Sequence, residues 1–206
     1  MRTIRRGGEH ETEIKKSRFI CAMARVDSED AARAFIADRR KEHWSANHNC
    51  TAYVLGDDGS VQRSSDDGEP GGTAGVPMLE VLRHRSLTDA VAVVTRYFGG
   101  VKLGAGGLIR AYGNSVSAAV DEFGVLERRT LLLVDVYADY VLGGRLESDL
   151  RDSSYTVREV AYEARVRIEV ALPEDDLEGF AVWLAEITGG KADHEVKGTT
   201  VVEVEP

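Results

Sequence analysis

The sequence predicts an α+β protein of two units, and three observations carry that expectation. Stretches with a period of two, the mark of strands, alternate with stretches whose apolar residues recur every three or four positions. Gly, Pro, Asn and Asp clusters separate them at short intervals. Charge is also divided unevenly, since residues 1–120 hold 17 Lys and Arg against 15 Asp and Glu, whereas residues 121–206 hold 9 against 20. The acidity behind the net charge of −9 therefore belongs to the second unit, and only the first offers a basic face.

After a polar N-terminal arm, residues 11–26 read as one strand, or two short ones joined by a turn near Lys15-Lys16-Ser17. Asp27-Ser28 offers an N-cap to a helix carrying Ala31, Ala32, Phe35 and Ile36 on one face and a basic end at Arg39-Arg40-Lys41. Cys50–Leu55 is the next strand, and Gly56-Asp-Asp-Gly59 turns it into Val61–Ser64. A polar, glycine-punctuated tract covers Ser64–Pro77, and Met78, Leu79, Val81 and Leu82 then mark a helix with Pro77 near its first turn. Ala90–Thr95 is apolar on both faces and reads as a central strand. It feeds the glycine-rich loop 99–107 and a helix over Gly106–Phe123, stopped by Gly124. The first unit is expected to span residues 1–126, with Glu127–Thr130 as a short charged connection.

Residues 131–206 read as β-α-β-β-α-β: strands at 131–137, 155–161, 164–172 and 199–204, with helices marked by Val141–Leu150 and Leu177–Ile187. That order is the ferredoxin-like split βαβ pattern. No catalytic cluster stands out within it.

Composition excludes several classes. No apolar run reaches the length of a membrane helix, and the charged start Met1–His10 lacks the apolar core of a secretory signal. A cytoplasmic protein without membrane contact is the expectation. Cys21 and Cys50 are too few and too far apart for a disulfide scaffold or a zinc ribbon. His43, His48 and Cys50 match no standard zinc spacing, and there is no G-x-S-x-G elbow.

The most unusual stretch is Thr95–Tyr112, where an apolar run breaks into Gly99, Gly100, Gly104, Gly106 and Gly107 and resumes with helical spacing. Glycines let a ligand approach main-chain N–H groups closely, and the helix start adds unpaired donors and partial positive charge. Arg96, Lys102 and Arg110 bracket the loop, with no acid between Asp89 and Asp121. The spacing is neither a P-loop nor G-x-G-x-x-G, so what is left is a generic phosphate nest. The same glycines also permit a tight turn and close helix–strand packing with no ligand at all. In the other tract, Ser65, Asp66, Asp67, Glu69 and Thr73 put hard oxygen donors on one turn, which suits Mg²⁺ and suits equally a solvated loop built from Asx and hydroxyl turns. His48 is a candidate acid, base or polar partner if folding brings it beside Asp66 or Arg96.

Together, Ser65-Asp-Asp-Gly-Glu-Pro-Gly-Gly-Thr-Ala-Gly-Val-Pro-Met78 and Val94–Tyr112 resemble the two signature tracts of the YigZ/IMPACT family, and Lys16–Ile20 and His48–Tyr53 resemble its other recurrent blocks. The likeness covers about residues 15–125. The second unit is similar to the extra domain of the bacterial branch. This resemblance implies a ribosomal-protein-S5-domain-2-like first domain and a second domain like the C-terminal module of elongation factor G. Both kinships lie near RNA and translation, and the eukaryotic members act by protein contact upstream of a starvation-responsive initiation-factor kinase.

The leading expectation is thus a non-enzymatic regulator of translation that contacts RNA or a ribosome-associated protein through Arg96, Lys102, Arg110 and the loop amides. Its rival is a magnesium-dependent enzyme that binds a phosphorylated small molecule between the two tracts.

Overall fold

The computed structural model describes residues 1–206, which divide into one unit of Met1–Arg128 with Val204–Pro206 and another of Arg129–Glu203. Both units mix helices with an antiparallel sheet, so the protein is α+β with five α-helices and two sheets.

In the first unit, β2 (Gly8–Ile14) and β3 (Ser17–Arg25) form a hairpin whose turn residues Lys15 and Lys16 take φ of 49° and 66°. The paired left-handed residues match the right-handed twist of the strands. α1 (Glu29–Glu42) starts at Ser28, whose Oγ accepts a hydrogen bond from the Ala31 amide. β4 (His48–Leu55), β5 (Val61–Ser65) and β6 (Ala90–Tyr97) complete a sheet in the order β2-β3-β6-β4-β5. β6 lies in the middle, as its apolar faces require.

α2 (Gly75–His84) and α3 (Ala105–Phe123) cover one face of this sheet. Met78, Leu82, Leu108, Tyr112, Val116 and Val120 pack there against Phe19, Cys21, Cys50 and Val94. α1 closes the other face over Val26, Tyr53, Leu55 and Val91. The polar N-terminal arm contains a strand that its composition hides: β1 (Arg2–Ile4) pairs with the start of β7 (Val125–Ala138). Glu127–Thr130 is accordingly strand rather than connection, because Arg2 supplies ladder partners at Glu127.

In the second unit, Leu132–Ala138 of β7 pairs with β9 (Val166–Leu172), and β9 pairs with β8 (Thr156–Tyr162). β10 (Asp193–Val204) pairs with β7 and begins earlier than its apolar end suggests. α4 (Tyr140–Arg151) and α5 (Leu177–Thr188) bring Leu146, Leu150, Phe180 and Leu184 onto Val134, Val136, Ile168 and Val170. No helix in the chain is long and apolar enough to cross a membrane.

Candidate functional site

The two polar tracts meet in the first unit. A cleft of about 430 Å³ is lined by Asn47, His48, Glu69 and Pro70 on one side and by Arg96, Phe98, Lys102, Gly104 and Leu108 on the other. Strand register begins this convergence, since His48 of β4 stands opposite Arg96 of β6. The loop after β5 then carries Glu69 inward.

Glu69 is the hub. Its side chain is only 4% exposed, and its Oε1 accepts from Arg96 Nη1 at 2.6 Å and from the Tyr112 hydroxyl at 2.7 Å. Burial raises the Tyr112 phenol far above its ordinary range, with Cys50 and Glu69 adding to the shift, so it serves here as a fixed donor. Glu69 Oε2 faces His48 Nε2 at 3.9 Å. The other ring nitrogen, His48 Nδ1, lies 2.9 Å from the Asp67 carbonyl oxygen, which can only accept. Nδ1 therefore carries the proton, and in the neutral ring Nε2 is an acceptor.

Arg96, expected as a phosphate contact, stands on the central strand as the partner of Glu69. Arg96 is 6% exposed, and its guanidinium lies 5.4 Å from the Phe19 ring centre and 5.6 Å from that of Phe98. It neutralises Glu69 and orders Phe98 rather than reaching solvent. Lys102 is exposed on the cleft wall. Arg110, also exposed, lies with Lys15 on a second cleft that shares Leu103 with the first.

The loop glycines have different tasks. At Gly99 a side chain would begin 1.9 Å from the Lys16 carbonyl oxygen, so this glycine permits loop 98–103 to lie against the β2–β3 turn. Gly104 is the N-cap of α3 with φ 71° and ψ 166°, a conformation open to glycine almost alone. Gly106 and Gly107 occupy the first turn, which holds no acid and no side-chain cap. Gly100 is exposed with φ 85°. The α3 N-terminus thus offers backbone N–H donors and partial positive charge beside Lys102.

The acids of the tract, expected as hard oxygen donors on one turn, are each engaged separately in this arrangement. Asp66 accepts from the amides of Gly72, Ala74 and Gly75 at 2.8–3.0 Å and so holds the start of α2. Asp67 pairs with Arg40 at 3.0 Å and accepts from the Asn49 amide. Ser65 Oγ accepts from the Asp67 amide, and Thr73 Oγ1 donates to the Pro70 carbonyl. No group of three or more His, Cys, Asp or Glu side chains converges as metal ligands. Cys50 Sγ donates to the Asp66 carbonyl, and burial pushes its thiol up to about 12, which leaves it unreactive at neutral pH.

Residues 15–120 match the model of the Impact N-terminal domain, and residues 136–191 match that of a Domain of unknown function, DUF1949. The chain is 49% identical over 201 residues to the Bacillus subtilis protein named IMPACT family member YvyE, covering 98% of this chain and 93% of that one. This chain belongs to the IMPACT family. IMPACT family member YigZ of Escherichia coli is 39% identical across 86% of this chain and 88% of its own. The Protein IMPACT homolog of Schizosaccharomyces pombe is 36% identical over 94 residues, which is 44% of this chain and 33% of that protein. A crystal structure described as that of an hypothetical protein superposes with a TM-score of 0.59 at 36% identity, covering 94% of this chain and 95% of the other.

Within this IMPACT-family chain, sequence reasoning missed Asn47, Phe98, Leu108 and Tyr112 as parts of the site. A phenol hydroxyl on the mostly apolar inner face of α3, which it shares with Ser115, was the available signal for Tyr112. Asn47 gave none, since its task is to accept from the Phe98 amide at 2.8 Å, a contact made only by the folded chain.

Proposed function

We propose that this protein is a cytoplasmic regulatory binding protein that engages single-stranded RNA on the α3 end of its first unit. The observation that carries the reading is the start of α3: a 19-residue helix with no acid or side-chain cap in its first turn opens onto a cleft walled by Lys102 and by Phe98, which is 46% exposed. Helix N-terminal amides and a lysine suit a phosphate, and an exposed ring suits a base. Trp44, 83% exposed in the turn before β4, adds a second aromatic surface to the same unit. The expected likeness of the two units to ribosomal-protein S5 domain 2 and to the ferredoxin-like module of elongation factor G would place the protein in translation by analogy alone.

The test is anisotropy with a labelled seven-nucleotide RNA between 50 and 200 mM salt. Each phosphate contact on a single strand contributes about 0.7 to the slope of log affinity against log salt, so Lys102→Ala with Arg110→Ala should lower it by about 1.4. An unchanged slope overturns the reading.

The cleft volume of about 430 Å³ favours one competing reading, a phosphorylated small molecule held without metal. Nucleoside monophosphates at 100 times their Kd would raise stability by about 2.7 kcal/mol, read as a higher Tm in metal-free buffer.

A further inference from the structure

We infer that Glu69 and His48 form a reader for the amino group of one RNA base, so that the cleft takes adenine or cytosine in preference to uracil or hypoxanthine. This inference rests on the RNA-binding reading and adds base selectivity to it.

The argument begins with two acceptors that face each other. Glu69 Oε1 already accepts from Arg96 and Tyr112, which turns Oε2 toward His48 Nε2 at 3.9 Å. In the neutral ring that nitrogen is also an acceptor, because Nδ1 donates to the Asp67 carbonyl. A separation of 3.9 Å is too long for a hydrogen bond between them. It is wide enough for a nitrogen lying about 2.9 Å from each. The group that satisfies both is one with two N–H donors on a single atom, and among RNA bases this is the exocyclic amino group. A carbonyl in the same place would bring a third lone pair against two others.

The surroundings fix the pose. Glu69 and Arg96 are 8% and 6% exposed, so the reader stands on a rigid floor whose charge is already neutralised. Phe98, held by the Arg96 guanidinium and by Asn47, lines the same cleft and offers its face to the base. Pro70 and Leu108 supply the apolar walls. The α3 amides and Lys102 are left for the phosphate, so one nucleotide unit meets recognition elements for both of its ends.

The experiment compares uridine heptamers that carry one central adenosine, inosine, cytidine or uridine, at pH 8. Adenosine and inosine differ at the base by the 6-amino group against a carbonyl and by the proton this places on N1, so stacking and backbone contacts are held nearly constant. We expect adenosine over inosine, and cytidine over uridine, by about 10-fold, the discrimination of one good two-bond contact. His48→Ala, checked for folding by circular dichroism, should bring both ratios close to one while retaining the salt slope. Glu69→Gln converts one acceptor into a donor and should turn the preference toward inosine. Equal binding of all four heptamers overturns the reader and leaves the RNA-binding reading standing. Binding of none overturns that reading itself, and a 10-fold preference that survives His48→Ala overturns the assignment to this pair.

Discussion

Arg96 Nη1 and Glu69 Oε1 lie 2.6 Å apart with side chains 7% and 4% exposed, and this contact between residues 27 positions apart joins the two polar tracts. A buried pair is held together mainly by what each partner suffers alone. Removing one leaves an uncompensated charge in the interior, at about 3–5 kcal/mol, whereas replacing both can be nearly neutral. Arg96→Met should therefore destabilise the protein by about that amount. Glu69→Gln should cost less, because the amide oxygen still accepts from Tyr112. The double variant should be more stable than the sum of the two losses predicts, by at least about 1 kcal/mol. Urea unfolding of the four proteins measures this, and simple additivity would show that the pair does not couple.

Asp66 links the acidic tract to pH. Burial acts to raise its pKa, but the amides of Gly72, Gly75 and Ala74 outweigh burial and hold the carboxyl below the usual range. A carboxyl whose pKa is lower in the folded state than in the unfolded chain stabilises folding through its ionised form. That contribution is fully present above the unfolded value of about 3.9 and is lost as pH falls through the lower folded value. Asp66→Asn should cost about 1–3 kcal/mol at pH 7, since it weakens charge-assisted bonds at the start of α2. The gap between variant and parent should narrow below pH 4. A gap of equal size at pH 7 and pH 3 would assign the loss to shape rather than charge.

These two tracts show how far a sequence can be read. Periodicity located α1, β6 and α3 because each buries a face with the spacing of its own backbone, and Gly124 and Gly189 mark helix ends through positive φ. β1 was hidden because three residues carry no period, and pairing with Val125–Glu127 and with Leu87 makes them a strand. The approach of His48 to Arg96 was open as a condition and not as a result, and Glu69 as the residue between them was not foreseen, since both depend on the β4–β6 register and on a loop entering from β5. Burial decided roles that residue type could not. An arginine beside glycines suggests an anion contact, yet its place on the central strand makes it the counter-ion of Glu69. Three acids on a turn suggest a cation, yet separate partners draw them apart.

Gly99 and Gly104 separate two uses of glycine in one loop, and substitution should tell them apart. At Gly99 a methyl group would start 1.9 Å from the Lys16 carbonyl oxygen and 2.0 Å from its carbon, and backbone on both sides makes relief expensive. Gly99→Ala must push loop 98–103 off the β2–β3 turn and break the bond from the Gly99 amide to Ser17 Oγ. A cost of about 3 kcal/mol or more is expected, with Phe98 displaced from Arg96 and weaker ligand binding in the cleft. At Gly104 nothing lies within 4 Å of the added methyl, so the cost there comes from φ 71° alone. Gly104→Ala should lose about 1–3 kcal/mol of stability and fray the first turn of α3. Hydrogen exchange separates the two cases: faster exchange at Ala105–Leu108 is expected for Gly104→Ala, and faster exchange at Phe98 and Gly99 for Gly99→Ala. Equal protection of both segments in both variants would mean that the loop absorbs either methyl without moving the cleft.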